Sequence, residues 1–236
     1  MSFYEHVRAD VLRHGAINNT YLTRFQAGEV TDREFHEFAV EFYSFARFFP
    51  RILAAQLVNT EDEAVADELT KVLYSELGDG IVKHRHELLY RNFLRSIGID
   101  IHDAMHTPMK PSTRAYIQGM ERLYSSRHHA MALGASFGLE NMAITMWDHL
   151  IPGLTRLKQV RYPRMDMTYF TFHRQLESAH EKAMEWVRHD ERTRANRFLP
   201  GNECGAGLSR RVLDGAGTKG VRYPTEPASA GAAVGE

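Results

Sequence analysis

His173, Glu177 and His180 stand at positions i, i+4 and i+7 of the segment His173-Arg174-Gln175-Leu176-Glu177-Ser178-Ala179-His180. Successive residues of an α-helix turn by about 100°, so the three share one narrow stripe and could grip one metal ion from a single helix. The flanks, Tyr169 to Phe172 and Glu181 to Trp186, contain neither Gly nor Pro and favour that helix. A solvated helix face carrying a His–Glu pair is the plainer reading of the same residues. A second carboxylate and imidazole, Glu76 and His86, flank Gly78-Asp79-Gly80. On one straight helix they would be about 15 Å apart along the axis, too far to share an ion. The two glycines supply the break that could fold one toward the other, or simply a helix corner. A third candidate, Glu140, follows the small, apolar stretch Ala132 to Leu139, where an unpaired carboxylate is costly. It must be exposed, paired with a base such as arginine, or bound to a cation.

The elements that must hold these residues are helical. Strand patterns are nearly absent, and apolar residues recur every three or four positions through most of the first 190 residues. This periodicity predicts an all-α bundle of about seven helices: 3–25, bent near Gly15; 31–58; 60–77; 80–97; 112–125; 128–157; and 165–194. Thr31 and Glu34 have capping-box spacing at the second start. Pro50 should kink or interrupt the second helix, and Pro152 should bend the sixth or end it early. Residues 1–197 read as one helical domain. The Gly, Ala, Ser, Pro and Arg-rich residues 198–236 read as a flexible C-terminal tail.

Composition narrows the chemistry. The 236 residues are 43% hydrophobic with a formal net charge of −1, so they can bury one substantial core and offer no basic field for nucleic acid. No apolar run approaches the roughly 18–20 residues of a membrane helix, and Met1 to Arg8 lacks the apolar centre of a signal peptide. A soluble, cytoplasmic protein with no membrane partner is expected. Cys204 is the single cysteine, so a metal held here takes nitrogen and oxygen ligands.

Taken together, the motifs follow the order of a known family. Glu76-Leu77-Gly78-Asp79-Gly80, then His86-Glu87-Leu88-Leu89-Tyr90-Arg91-Asn92-Phe93-Leu94-Arg95-Ser96-Ile97-Gly98, then Leu133-Gly134 through Leu139-Glu140, and finally His-x-x-x-Glu-x-x-His resemble the iron-containing redox enzymes. These are also called haem-oxygenase-like diiron oxidases and oxygenases. The resemblance covers most of residues 30 to 190 and implies a haem-oxygenase-like bundle. It further implies two iron ions reacting with dioxygen and a six-ligand set of Glu76, His86, Glu140, His173, Glu177 and His180. The family more often has Asp where Glu177 stands, which leaves the ligand chemistry intact but lengthens one arm. Three carboxylates and three imidazoles without thiolate suit iron or manganese.

Members of this family differ in reaction, and fold does not choose among them. The resemblance implies an oxidase or oxygenase acting on an amino acid or small carboxylate in specialised metabolism. Length and ligand layout are similar to the nitrile-forming member that acts on a halogenated tryptophan. Metal-free relatives on the same scaffold, thiaminase-like or resembling the oxidase of quinone-cofactor synthesis, and a non-enzymatic helical interaction protein are the alternatives. Substrate and dioxygen are the expected partners; an external electron donor and a homodimer are compatible with the sequence.

Phe42, Tyr43 and Phe49 could line a dry substrate pocket, although plain core packing accounts for each of them. Arg47 and Arg51, one turn apart, could each hold a substrate carboxylate or lie as surface arginines. His84, His102, His106, His128, His129 and His149 fall outside the ligand pattern.

Overall fold

The computed structural model describes the backbone of residues 3–183 and the side chains of residues 5–176. Among the described residues the regular elements are helices: α1 (Phe3–Arg13), α2 (Thr20–Ala27), α3 (Asp32–Ala46), α4 (Phe49–Val58), α5 (Glu63–Glu76), α6 (His86–Ser96), α7 (Ile101–His106), α8 (Pro111–Tyr124), α9 (His129–Val160) and α10 (Thr168–Ala183). One 3-10 turn, Val82–His84, precedes α6. The boundary expected at residue 197 lies outside the described residues.

The all-α expectation holds, and several predicted helices divide where the backbone chemistry demands it. The first region breaks between Arg13 and Thr20, and the Asn19 side chain caps α2 by accepting from Leu22 N. The capping box of α3 is complete: Thr31 accepts from Glu34 N, and the Glu34 carboxylate accepts from Thr31 N. Such a cap contributes about 1 kcal/mol. Glu34 is tied further to Arg24 of α2 at 2.9 Å. Pro50 lies in the first turn of α4, where its missing donor leaves no gap, so the chain breaks at Arg47 and Phe48. The short α7 has no counterpart among the predicted helices. Pro152, by contrast, does not end α9, which continues to Val160.

Helix α9 is the spine, packed against α1, α2, α8 and α10. Gly153 explains the close approach of α2, because a Cβ there would collide with the Phe25 carbonyl. Across that contact the Arg156 guanidinium donates to the Gln26 carbonyl. The main core lies among α1, α2, α3, α6, α9 and α10 and is rich in aromatic rings, including Phe35, Phe42, Tyr90, Phe93, Trp147 and Phe170. Each such ring contributes about 1.5–3 kcal/mol by leaving water. A second cluster joins Ile52 and Leu53 of α4, Val72 of α5, and Tyr116 and Met120 of α8.

Candidate metal centre

The link from α5 to α6 creates the first half of the site. Helix α5 ends at Glu76, and Gly78 (φ 91°), Asp79 (φ 51°) and Gly80 (φ 77°) then take left-handed backbone in succession. Gly78 cannot carry a side chain here, because a Cβ would lie 2.6 Å from both Arg85 N and Ile81 O. Ile81 N donates to Gly78 O at 2.7 Å, closing the turn onto the 3-10 segment. The helix predicted from residue 80 therefore starts only at His86, whose ring is delivered from the first position of α6. Glu76 Oε2 lies 2.9 Å from His86 Nδ1.

The second half comes from α10. Tyr169, Phe170 and His173 form its buried face, and His173 Nε2 lies 3.9 Å from Glu76 Oε1. The two imidazole rings meet edge to face at 4.3 Å. One ligand atom each from Glu76, His86 and His173 lies within 4.8 Å of the others, and all three residues are buried.

Two details fit this trio to a cation. His173 Nδ1 is 2.8 Å from the Tyr169 carbonyl, one turn back on its own helix. As a donor to that carbonyl, Nδ1 leaves Nε2 as the lone-pair nitrogen facing Glu76. His86 is more telling. Both of its ring nitrogens are buried without a hydrogen-bond partner among the described residues, and the 2.9 Å approach of Glu76 to Nδ1 lacks hydrogen-bond alignment. A buried nitrogen left in that state costs about 1–3 kcal/mol unless something else satisfies it. A metal ion would take lone pairs from both rings and charge from the carboxylate, and this nitrogen and oxygen donor set suits iron or manganese.

The shell around the trio is apolar. Phe172 packs edge-on against His86 at 5.4 Å, and Trp147 and Tyr169 lie 5.5 Å and 4.1 Å from His173. Such a shell excludes water and strengthens electrostatic contacts within.

Glu140 is buried on α9, the helix packed against α10, but is not a member of the tight trio. Glu177 and His180 continue the His173 stripe along α10, and their side chains lie outside the described ones. Of the aromatics, Phe42 meets Trp147 at 5.9 Å and Tyr169 at 6.2 Å, and so reaches the shell. Tyr43 turns to α6 and donates to Glu87 at 2.6 Å. Phe49 packs on Phe45 and Tyr124 in the second cluster.

The two arginines separate clearly. Arg51 is exposed over the Phe48 ring, whereas Arg47 is half-buried over Tyr43 and Phe48, its Nε enclosed and lacking a hydrogen-bond partner among the described residues. His149 meets Gln26 at 3.0 Å, and His102 is exposed beside Asp100, which caps α7. A cavity of about 350 Å³ opens elsewhere, against Phe48, Pro108, Met109 and Ile117, and includes none of the trio. The contacts of Trp147 and Tyr169 with His173 go beyond the sequence reading, although the i−4 spacing of Tyr169 carries that signal.

Residues 36–204 match the iron-containing redox enzymes, a stretch that includes the whole trio. The chain belongs to the iron-containing redox enzyme family. It is similar to the 4-chloro-allylglycine synthase of Streptantibioticus cattleyicolor, 26% identical over 147 residues, which cover 62% of this chain and 56% of that protein. The matched stretch thus spans little more than half of that relative's length.

Solved structures place this family member in the haem-oxygenase-like fold. A domain of unknown function with that fold from Shewanella denitrificans superposes with a TM-score of 0.69 at 18% identity, covering 90% of this chain and 88% of the other. A TenA homologue from Pseudomonas syringae gives 0.72 at 11%, covering 91% and 89%. A CADD-like protein from Nostoc punctiforme gives 0.71 at 14%, covering 90% and 96%. No helix among the described residues is long and apolar enough to cross a membrane.

Proposed function

We propose that this family member is a non-haem diiron oxidase or oxygenase that uses dioxygen on an amino acid or small carboxylate in specialised metabolism. The observation carrying this reading is the buried trio of Glu76, His86 and His173, with His86 nitrogens that make no hydrogen bond among the described residues. In this reading the trio holds one iron. Glu140, with Glu177 and His180 further along the α10 stripe, completes the set for a second. Bound as a ferrous pair, the irons supply electrons to dioxygen.

The chain's own residues do the rest. The Tyr169 carbonyl orients His173, and Phe172, Trp147 and Tyr169 exclude water. Arg47, the arginine with the enclosed Nε, is the candidate anchor for a substrate carboxylate, with Phe42, Tyr43 and Phe49 on the same or adjoining turns. An amino-acid substrate is supported by the relative whose name makes it an allylglycine synthase. Conversion of an amino acid to a nitrile is a second reaction open to the same centre. An external electron donor would serve either cycle if the substrate does not supply every electron.

Anaerobic loading with ferrous ion, followed by iron analysis of wild type and His173→Ala, tests the centre. About two irons per wild-type chain and fewer in the variant are expected, with oxygen uptake stimulated by an amino acid. Equal iron in the two proteins, or none in wild type at saturating metal, refutes the reading.

A further inference from the structure

His173 stands at one end of a line of tyrosines. The Tyr169 ring lies 4.1 Å from it, Tyr90 lies 4.7 Å from Tyr169, and Tyr43 stacks on Tyr90 at 5.8 Å with an 18° tilt between planes. All three tyrosines are buried. At the far end the Tyr43 hydroxyl donates to Glu87 at 2.6 Å and accepts from Arg91 Nε at 3.1 Å. The Glu87 and Arg91 side chains are each 31% exposed, so the line begins at a buried candidate ligand and ends at the surface.

Aromatic packing explains each ring pair taken alone. It does not explain why each ring of the line is an oxidisable phenol, when the phenylalanines Phe38, Phe42, Phe93 and Phe170 pack beside it in the same core. The two outer hydroxyls also differ in a way that matters for electron transfer. Tyr90 donates to the Ala39 carbonyl at 3.0 Å, and an amide oxygen cannot keep a proton. Tyr43 faces a carboxylate, which can. A phenol that loses an electron must lose its proton to persist as a neutral radical, and of these two only Tyr43 has a base within reach.

We propose that Tyr169, Tyr90 and Tyr43 form a one-electron relay between the iron centre and the surface at Glu87 and Arg91. The relay rests on the iron reading above. In each cycle the Tyr43 O–H bond breaks and its proton passes to Glu87. One electron leaves the phenol, travels through the Tyr90 and Tyr169 rings, and reduces the oxidised iron centre by one equivalent. A one-electron reductant at the surface, of the small enediol or reduced iron–sulfur class, then gives an electron to the Tyr43 radical. The proton returns from Glu87, and the phenol is restored. Trp147 also lies beside His173, but its ring contacts with Phe42, Tyr169 and Phe170 lead back into the core.

The test mixes anaerobic, ferrous-loaded protein with oxygen in the absence of substrate, freezes the mixture at intervals and records electron paramagnetic resonance. A transient tyrosyl signal is expected in wild type. It should narrow when the protein is made with ring-deuterated tyrosine, decay faster when ascorbate is present, and be lost in Tyr43→Phe at unchanged iron content. Tyr90→Phe, which keeps the ring and removes the phenol, should diminish it, whereas Tyr21→Phe, at a buried tyrosine outside the line, should retain it. Iron bound and oxygen consumed without a tyrosyl signal, or with a signal unaltered in Tyr43→Phe, overturns the relay and leaves the iron reading intact. Protein that binds no iron overturns both, since the relay then has nothing to reduce.

Discussion

Gly78→Ala should cost this protein both stability and metal affinity, through two effects that a second glycine separates. Gly78 has φ 91°, and an alanine there pays the left-handed penalty of about 1–2 kcal/mol. Its Cβ would also sit 2.6 Å from Arg85 N and Ile81 O, where ordinary contact begins near 3.4 Å, so the facing backbone must retreat by about 0.8 Å. Both partners are main-chain atoms of the turn leading into α6, and no side-chain rotation relieves them. Overpacking of this kind adds about 1–3 kcal/mol.

Gly98 is the control, with φ 82° and nothing within 4 Å of the position a methyl group would take. Denaturant unfolding of the metal-free proteins should therefore show a loss of about 1–2 kcal/mol for Gly98→Ala and about 2–5 kcal/mol for Gly78→Ala. The same retreat separates His86 from Glu76. Metal sites tolerate ligand displacements of only about 0.2 Å, so ferrous or cobaltous affinity should fall about 10–100-fold in Gly78→Ala alone. Equal destabilisation of the two variants, or wild-type metal affinity in Gly78→Ala, would refute the argument that this glycine holds the ligands together.

Two further outcomes follow from the packing and from Tyr43. Gly153→Ala, which in an ordinary helix interior gains about 1 kcal/mol, should instead lose about 1–3 kcal/mol because its methyl meets the Phe25 carbonyl; thermal unfolding reads the sign directly. Burial, with the Glu87 hydrogen bond adding to it, pushes the Tyr43 phenol up to about 12. The unfolded phenol ionises near 10, so the stability held by protonated Tyr43 is complete below that pH and is lost as pH rises through about 12. The slope of stability against pH in this window, measured by denaturant titration, should be shallower in Tyr43→Phe; an identical slope would show that Tyr43 ionises as freely when folded.

Much of the scaffold is legible in the sequence because helix periodicity and capping are local. The Thr31–Glu34 box appears in the structure as its spacing predicts, and α10 (Thr168–Ala183) lies within the helix expected over 165–194. The six residues of α7 are too few to show a period, and α6 starts later than the period predicts because the 3-10 turn before it, entered through the Ile81 N to Gly78 O hydrogen bond, has no apolar pattern of its own. A proline at position 152 predicts a bend or an end to α9. It does not end the helix, which continues to Val160, with Gly153, Leu154 and Leu157 buried beyond the proline and the Gly153 turn seated against α2. Arg47 and Arg51 are indistinguishable in sequence, since only the neighbouring rings decide which guanidinium is enclosed.

The sequence by itself determined the helical period, the caps and the nitrogen and oxygen character of the candidate ligands, because each depends on residue types or on neighbours within a turn or two. Tertiary structure decided that Glu76, His86 and His173 share one buried volume and that the Tyr169, Tyr90 and Tyr43 rings touch in series. Those facts arise only when α3, α6 and α10 pack together with the end of α5. The same convergence buries the His86 nitrogens without a hydrogen bond among the described residues.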